Sequence, residues 1–328
     1  MAHIIKRNHW EGEHGLDVPS VSGRYQITAH KLDGRSRVLA DWFDNLILDN
    51  GLVELGARSV VTTCAVGTGN STPAATQTTL DAVLTSTTTI NSTNYGAAST
   101  APYYGWCQRT YRFSVGQAAG TLTEVGVGWS GSTLFSRSLI KDSGGAPTEI
   151  TVLADEVLDV TYELRLYVPT TDSVTQVVIN GVTHTVTTRA FNATGVSGWA
   201  YAYTPTNLIG ERVYLKPYNF GLWVTYPAAV QLGAITASSL NVSALSQFSG
   251  ITSSVWVDTP YAGNMTSTQG VIMGLNDSND VSGIGGMTLT TSLLGSYQIK
   301  FDPPIPKTAS HTLRLNFSAS WTRYTPPI

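Results

Sequence analysis

Six histidines are the side chains best suited to move a proton near neutral pH: His3, His9, His14, His30, His184 and His311. No spacing ties any of them to a nucleophile. Ser130 has Gly128 two positions before it but Ser132 two after it, so it fails the G-x-S-x-G elbow of a serine hydrolase. His184 alternates with Val182 and Val186, as a packed strand histidine does. A glycan-cleaving enzyme needs two carboxylates flanking a sugar. The glutamates are Glu11, Glu13, Glu54, Glu124, Glu149, Glu156, Glu163 and Glu211, scattered through alternating strand sequence and apparent turns. No catalytic residue is assigned.

Gly126-Val127-Gly128-Trp129-Ser130-Gly131 has the form GxGxxG. A dinucleotide site needs that turn between a strand and a helix, so that the helix N-terminus meets the pyrophosphate. Here Ser132 to Arg137 reads as a second strand, and the glycines read as close backbone packing or a bulge. Asn276-Asp277-Ser278-Asn279-Asp280 has the start of a calcium loop, but no glutamate follows to close it. It is read as a polar turn, with a single structural cation as the alternative. Cys64 and Cys107 are too few for a disulfide framework; they pair, pack in a core or stay exposed, and packing is favoured. No cofactor and no metal site is expected.

Aromatic side chains are the more informative candidates. Tyr103, Tyr104, Trp106 and Tyr111 cluster in sequence, and so do Trp199, Tyr201, Tyr203, Tyr214, Tyr218, Trp223 and Tyr226. The second set is the candidate interaction surface, because Tyr and Trp anchor protein interfaces and stack on sugars. Only Glu211, Arg212 and Lys216 bring charge into it. The competing reading places these rings in a β-sandwich core or in cross-strand pairs.

Charge supports contact with protein rather than nucleic acid. The net charge is −3, and no Lys/Arg cluster offers a footprint for phosphates. Charged residues make up 12% of the chain, about half the usual quarter, which suits a surface covered by neighbours or a neutral extracellular one. The opening residues have no apolar signal-peptide core, so synthesis in the cytoplasm is expected. The uncharged run from Pro217 to Val257 is too polar for a membrane span.

The elements that must position these residues are strands. Val160, Tyr162, Leu164, Leu166 and Val168 alternate with Thr161, Glu163, Arg165 and Tyr167, the pattern of a half-buried antiparallel strand stopped by Pro169. His311–Arg323 alternates likewise, with Leu313, Leu315, Phe317 and Trp321 on one face. Tyr297–Phe301 is a short strand followed by a rigid connection through Pro303, Pro304 and Pro306. Asn180-Gly181 joins two strands as a type I′ hairpin turn. Short helices are predicted over Pro73–Leu84, capped by Thr72, and within Asp41–Leu55, where Asn50-Gly51 would interrupt it. At 328 residues two cores are expected. The expected organisation is mainly β: an extended N-terminal arm over residues 1–40, then antiparallel β-sandwich-like domains over 41–169 and 170–328.

Several blocks together resemble a type of structural protein from tailed-bacteriophage virions and prophages. They are Asp44-Asn45-Leu46-Ile47-Leu48-Asp49-Asn50-Gly51-Leu52, then Val66-Gly67-Thr68-Gly69-Asn70-Ser71-Thr72-Pro73-Ala74-Ala75-Thr76, then Ala119 to Trp129, Leu134-Phe135-Ser136-Arg137, and Ile150 to Val168. The resemblance is best over residues 41–168; Phe301 to Lys307 and Ser320 to Arg323 share it loosely. It implies a non-enzymatic tail, baseplate or fibre-associated component located in the virion and assembled in the host cytoplasm. Its implied partners are other tail proteins and further copies of itself. The alternative is a receptor-binding tail protein whose C-terminal domain grips a host-surface glycan or pilus. A tail-associated glycan hydrolase is the third reading.

Overall fold

The computed structural model describes residues 8–16, 19–56, 61–98, 100–130, 133–191, 223–225, 230–235, 241–242, 249–250, 255–258, 262–290 and 296–326. In chain order the first elements are β1 (Asn8–Gly15), β2 (Ser20–Lys31), β3 (Ser36–Asp44), β4 (Leu46–Ile47), α1 (Asp49–Leu55), β5 (Thr63–Gly67), β6 (Val83–Thr87), β7 (Ile90–Ala97), β8 (Tyr104–Phe113), β9 (Gly120–Leu122), β10 (Glu124–Ser130), β11 (Thr133–Leu139), β12 (Ile150–Val152) and β13 (Glu156–Tyr167). There follow β14 (Ser173–Ile179), β15 (Val182–Phe191), β16 (Trp223–Thr225), β17 (Val230–Gln231), β18 (Asn241–Val242), β19 (Ser249–Gly250), β20 (Val255–Asp258), β21 (Thr266–Met273), β22 (Asp280–Thr290), β23 (Ser296–Lys307), β24 (His311–Ser320) and β25 (Thr322–Arg323). The protein is mainly β, as the alternation predicts. Among the described residues α1 is the one α-helix, and no helix is long and apolar enough to cross a membrane.

Strands β2, β13, β8 and β7 form one sheet, with β3 and β25 both paired to β2. Strands β4, β11, β10, β5 and β6 form the opposing one. Val21, Tyr25, Ile27, Tyr111, Phe113, Val160, Tyr162 and Leu164 turn inward from the first sheet, and Cys64, Val66, Val125, Val127 and Phe135 from the second. The Tyr25 hydroxyl reaches across to Ser136 Oγ at 2.8 Å, and Phe135 meets Tyr162 edge-on. Each fully buried large apolar side chain here contributes about 1.5–3 kcal/mol.

A second pair of sheets is built from the strands after Pro169 together with β1. One has the order β14-β15-β23-β22-β16-β19, the other β1-β24-β21-β20. Val177, Ile179, Val186, Ile299 and Phe301 belong to the same buried cluster as Val271, Leu313, Leu315 and Phe317. Asn180 and Gly181 have φ of 50° and 79°, so the predicted hairpin turn is present.

Three expectations are corrected. The described residues between 8 and 40 do not form an extended arm. Strand β1 pairs in parallel with β24 along its whole length, and β2 pairs with β13 from Ser20 to Lys31. The alternation in β2 is real, with Val21, Tyr25, Ile27 and Ala29 buried, but Ser and Gly dilute its hydrophobicity. After Pro169 the chain enters the second pair of sheets, and it crosses between the two pairs at both ends: β1 joins β24, and β25 joins β2. One buried apolar cluster runs through both pairs of sheets.

The second correction is the helix over Pro73–Leu84, which is an irregular loop running into β6. In the 41–55 stretch, Asp41 to Asp44 ends strand β3, and Asn50-Gly51 lies inside α1 rather than interrupting it. The third is the proline segment. Strand β23 runs on through Pro303, Pro304 and Pro306, with the ladder to β22 shifting register between Asp280 and Gly286. That irregularity accommodates residues that cannot donate a ladder hydrogen bond.

Candidate binding face

Most of the C-terminal aromatic candidates, namely Trp199, Tyr201, Tyr203, Tyr214, Tyr218 and Tyr226, lie outside the described residues. Trp223 opens β16, its backbone paired with Thr288 and Gly250, and its side chain is also outside the description. The structure gathers a different set of rings. Tyr111 points into the core, with its hydroxyl donating to the Val61 carbonyl at 2.8 Å. Its strand neighbours Tyr104 and Trp106 lie on the opposite, outward face, as alternation requires.

That face is built in register across β2, β13 and β8. Glu163 sits at its centre, opposite Arg24 on one side and Gln108 on the other. Arg24 holds the carboxylate in a fork, Nε to Oε1 at 2.8 Å and Nη2 to Oε2 at 3.1 Å. Gln108 donates to Oε2 at 2.5 Å and Arg165 Nε to Oε1 at 2.6 Å. Burial pushes the Glu163 carboxyl up, but the donors from Arg24, Gln108 and Arg165 outweigh it and hold the pKa below the ordinary value.

The arginines that hold Glu163 also carry the aromatics. Arg24 stacks over Trp42 at 4.2 Å, and Arg165 over Tyr104 at 4.6 Å. Tyr104 tilts against Tyr167 at 5.0 Å, and Tyr167 lies flat on Tyr324 with ring centroids 3.5 Å apart. Trp106 pairs with Gly96 on β7, and a Cβ on Gly96 would stand 2.6 Å from the indole, so the glycine gives the ring its seat.

Farther along β13, Asp159 takes both Arg112 Nε at 2.8 Å and Nη2 at 2.6 Å, with His30 Nε2 at 3.1 Å. Glu156 has the parity of the inward-facing Leu158 and Val160, so it lies off this face; it takes Arg37 at 2.9 and 2.7 Å. On the outward face the carboxylate lies beneath the arginine: Asp159 is 8% exposed against 39% for Arg112. The face therefore shows guanidinium edges and half-buried rings to solvent, all pre-ordered by partners within the sheet.

The blocks that carry the virion-protein resemblance also meet in space. Glu124 and Arg137, both fully buried, form an ion pair at 2.8 Å. Glu124 Oε1 accepts the backbone N–H of Gly69 and of Ala82, and Oε2 accepts that of Asp81. Arg137 also reaches Asp81, whose carboxyl is held at about 2, first by that contact. The loop from Thr68 to Ala82 is thus tied down by an ion pair from β10 and β11. Asp49 at the start of α1 donates its N–H to Ala75 of the same loop at 2.8 Å. This is a structural knot, and sequence alone did not pick out Glu124 or Arg137, because their partners are distant in the chain.

The remaining candidates are accounted for by packing. Gly126 and Gly128 lie in the β10–β11 ladder, where a Cβ would meet Leu134 at 2.7 Å and the Thr133 carbonyl at 2.1 Å, respectively; Gly131 lies outside the described residues. Asn276 to Asp280 is a turn in which Asp277 accepts the Gly274 N–H and Asn279 accepts Lys307 Nζ, both at 2.8 Å. Among the described residues no group of His, Cys, Asp and Glu is gathered to hold a metal ion. Cys64 and Cys107 are unpaired and buried, and burial raises the Cys107 thiol to about 11. His14 is buried between Thr175 and Thr188, His184 lies 2.6 Å from the Pro303 carbonyl, and His311 stacks on Trp10. His9 lies in β1, and His3 falls outside the described residues.

No family model, no curated protein and no solved structure matches the chain.

Proposed function

We propose that the chain is a non-enzymatic structural component of a bacteriophage tail or baseplate, assembled in the host cytoplasm with other tail proteins and with copies of itself. The outward face of β2, β13 and β8 is the contact surface. The observation that carries this is the pre-ordering of that face. Arg24, Arg165, Tyr104 and Tyr167 are fixed by one another and by the buried Glu163, and Trp106 is seated over Gly96, before any partner arrives. Arg, Tyr and Trp are the types that anchor protein interfaces, and ordering them in advance lowers the entropy lost on binding.

Glycan cleavage needs a carboxylic acid with a raised pKa, and the lowered carboxyls of Glu156 and Glu163 do not suit these two residues to that part. The receptor-binding alternative keeps one observation in its favour: rings and hydrogen-bond donors lie side by side at Tyr104, Arg165 and Gln108.

The test uses particles made with Trp106→Ala and Tyr104→Ala together. The doubly substituted chain is expected to stay folded by circular dichroism and to be missing from purified particles. Particles that incorporate it but no longer adsorb to cells would move the face to receptor binding. Normal incorporation with normal adsorption removes the face from either role. Absence of the wild-type chain from particles, by mass spectrometry, overturns the virion assignment.

A further inference from the structure

Strand β14 ends its sheet, and among the described residues its ladder partner is β15 alone. The hairpin fixes which way its backbone points. Across the two-residue turn Ile179 faces Val182 and exchanges hydrogen bonds with it. Bonding then alternates, so Ile179, Val177 and Thr175 are spent on β15, while Val178, Gln176 and Val174 send their N–H and C=O outward.

The side chains of those three residues are exposed too, Val174 at 62% and Val178 at 61%. Strand β1 meets β14 through the other face: His14 bonds Thr175, and Ile179 lies against Gly12. Among the described residues nothing along this edge discourages pairing. From Ser173 to Thr188 there is no Lys, Arg, Asp, Glu or Pro, and the ladder has no bulge. Natural edge strands are ordinarily blunted by one of these devices.

We propose that β14 is a self-pairing edge: it lies antiparallel to β14 of a second copy of this chain, about a twofold axis at Gln176. This deepens the self-association in the proposed function and is independent of the outward face of β13. Strand identity sets the register. Pairing Gln176 with the partner's Gln176 places Val174 opposite the partner's Val178, and the reverse. Every residue in those pairs has its backbone turned outward, so each pair exchanges two hydrogen bonds. A slip by one residue would set outward groups against groups already bonded to β15. In the central register the β-branched Val174 and Val178 become cross-strand neighbours on one face, a favourable pairing, with no like charges opposed. The contact is isologous, and two sheets join into one through β15-β14-β14-β15.

The test is the mass of the purified full chain by light scattering, beside Val178→Lys and Val178→Thr. The wild type and Val178→Thr are expected at twice the 35.0 kDa of one chain, and Val178→Lys at half that mass with an unchanged circular dichroism spectrum. Gln176→Cys is expected to form a covalent dimer under mild oxidation, since Cys64 and Cys107 are buried. A monomeric wild type overturns the proposal, as does a Val178→Lys chain that still associates. If Val178→Lys fails to fold, the Gln176→Cys chain decides: no covalent dimer means no self-pairing here. None of these outcomes bears on incorporation into particles through the Tyr104 and Trp106 face.

Discussion

Gly51 and Phe135 meet backbone to backbone: a Cβ on Gly51 would stand 2.2 Å from the Phe135 carbonyl oxygen. The glycine lets the first turn of α1 lie directly on β11. Two opposed effects decide what Gly51→Ala does. Alanine favours a helix over glycine by about 1 kcal/mol. Forcing a methyl into a packed contact costs about 1–3 kcal/mol, and more against backbone that cannot move. A net loss of about 2 kcal/mol in urea unfolding is expected. An unchanged midpoint would mean that α1 can lift off β11.

Replacing Arg137 by Met should be among the most damaging single changes. It strands Glu124, which is fully buried, and losing one partner of a buried pair costs about 3–5 kcal/mol. Lysine should not rescue it, because one ammonium cannot reach both Glu124 and Asp81 as the guanidinium does. Faster proteolysis between Gly69 and Ala82 should accompany the loss. A variant as stable as the wild type, with the loop still protected, would remove the knot from the account.

Acid stability should depend on Arg37. The Glu156 carboxyl is lowered from 4.5 to about 2, first by its bond to Arg37. A lowered carboxyl stabilises the folded chain fully above about pH 4.5, and that contribution drains away as pH falls toward 2. Arg37→Ala should therefore lower the urea midpoint at pH 7, with a gap from the wild type that narrows at pH 3. A gap of equal size at both values would refute the linkage.

His14 should add a slope in a different window. Burial lowers its pKa from 6.5 to about 4, so the folded chain holds it neutral where the unfolded chain would protonate it. Stability from this residue is whole above pH 6.5 and declines as pH falls toward 4. NMR of the imidazole should show the low titration, and His14→Gln should flatten the unfolding slope between those values. A His14 that titrates at its ordinary value would cancel the prediction.

Local signals were legible in the sequence and distant ones were not. The alternation in β13 and the Asn180-Gly181 turn need only neighbouring residues, and they stand as read; the strand predicted over His311–Arg323 alternates as expected in β24 but stops at Ser320, and Thr322–Arg323 crosses to β2 as β25. The Pro73–Leu84 helix fails because Thr72-Pro73 also suits a loop. What decides it is Glu124, whose bonds to Gly69 and Ala82 no local pattern reveals. The candidate face is hidden for the same reason. Trp42, Tyr104, Tyr167 and Tyr324 come from four separate stretches, and only the sheet brings them to one side. The Glu163 position was visible as the polar half of an alternating strand, but alternation alone read it as solvated rather than locked beneath arginines.

The crossing of the chain ends between the two pairs of sheets gives the protein a mechanical grip. Strands β1 and β24 run the same way, from Asn8 beside His311 to Gly15 beside Ser318. Tension that draws Asn8 backward and Ser320 forward pulls these strands along each other in opposite directions. It therefore loads the whole row of ladder bonds together, whereas peeling would break them one by one. The β2–β25 pair, also parallel, is loaded in the same sense. A chain held from both ends would resist stretching first at its seams, leaving the hydrophobic interiors shielded until those seams slide.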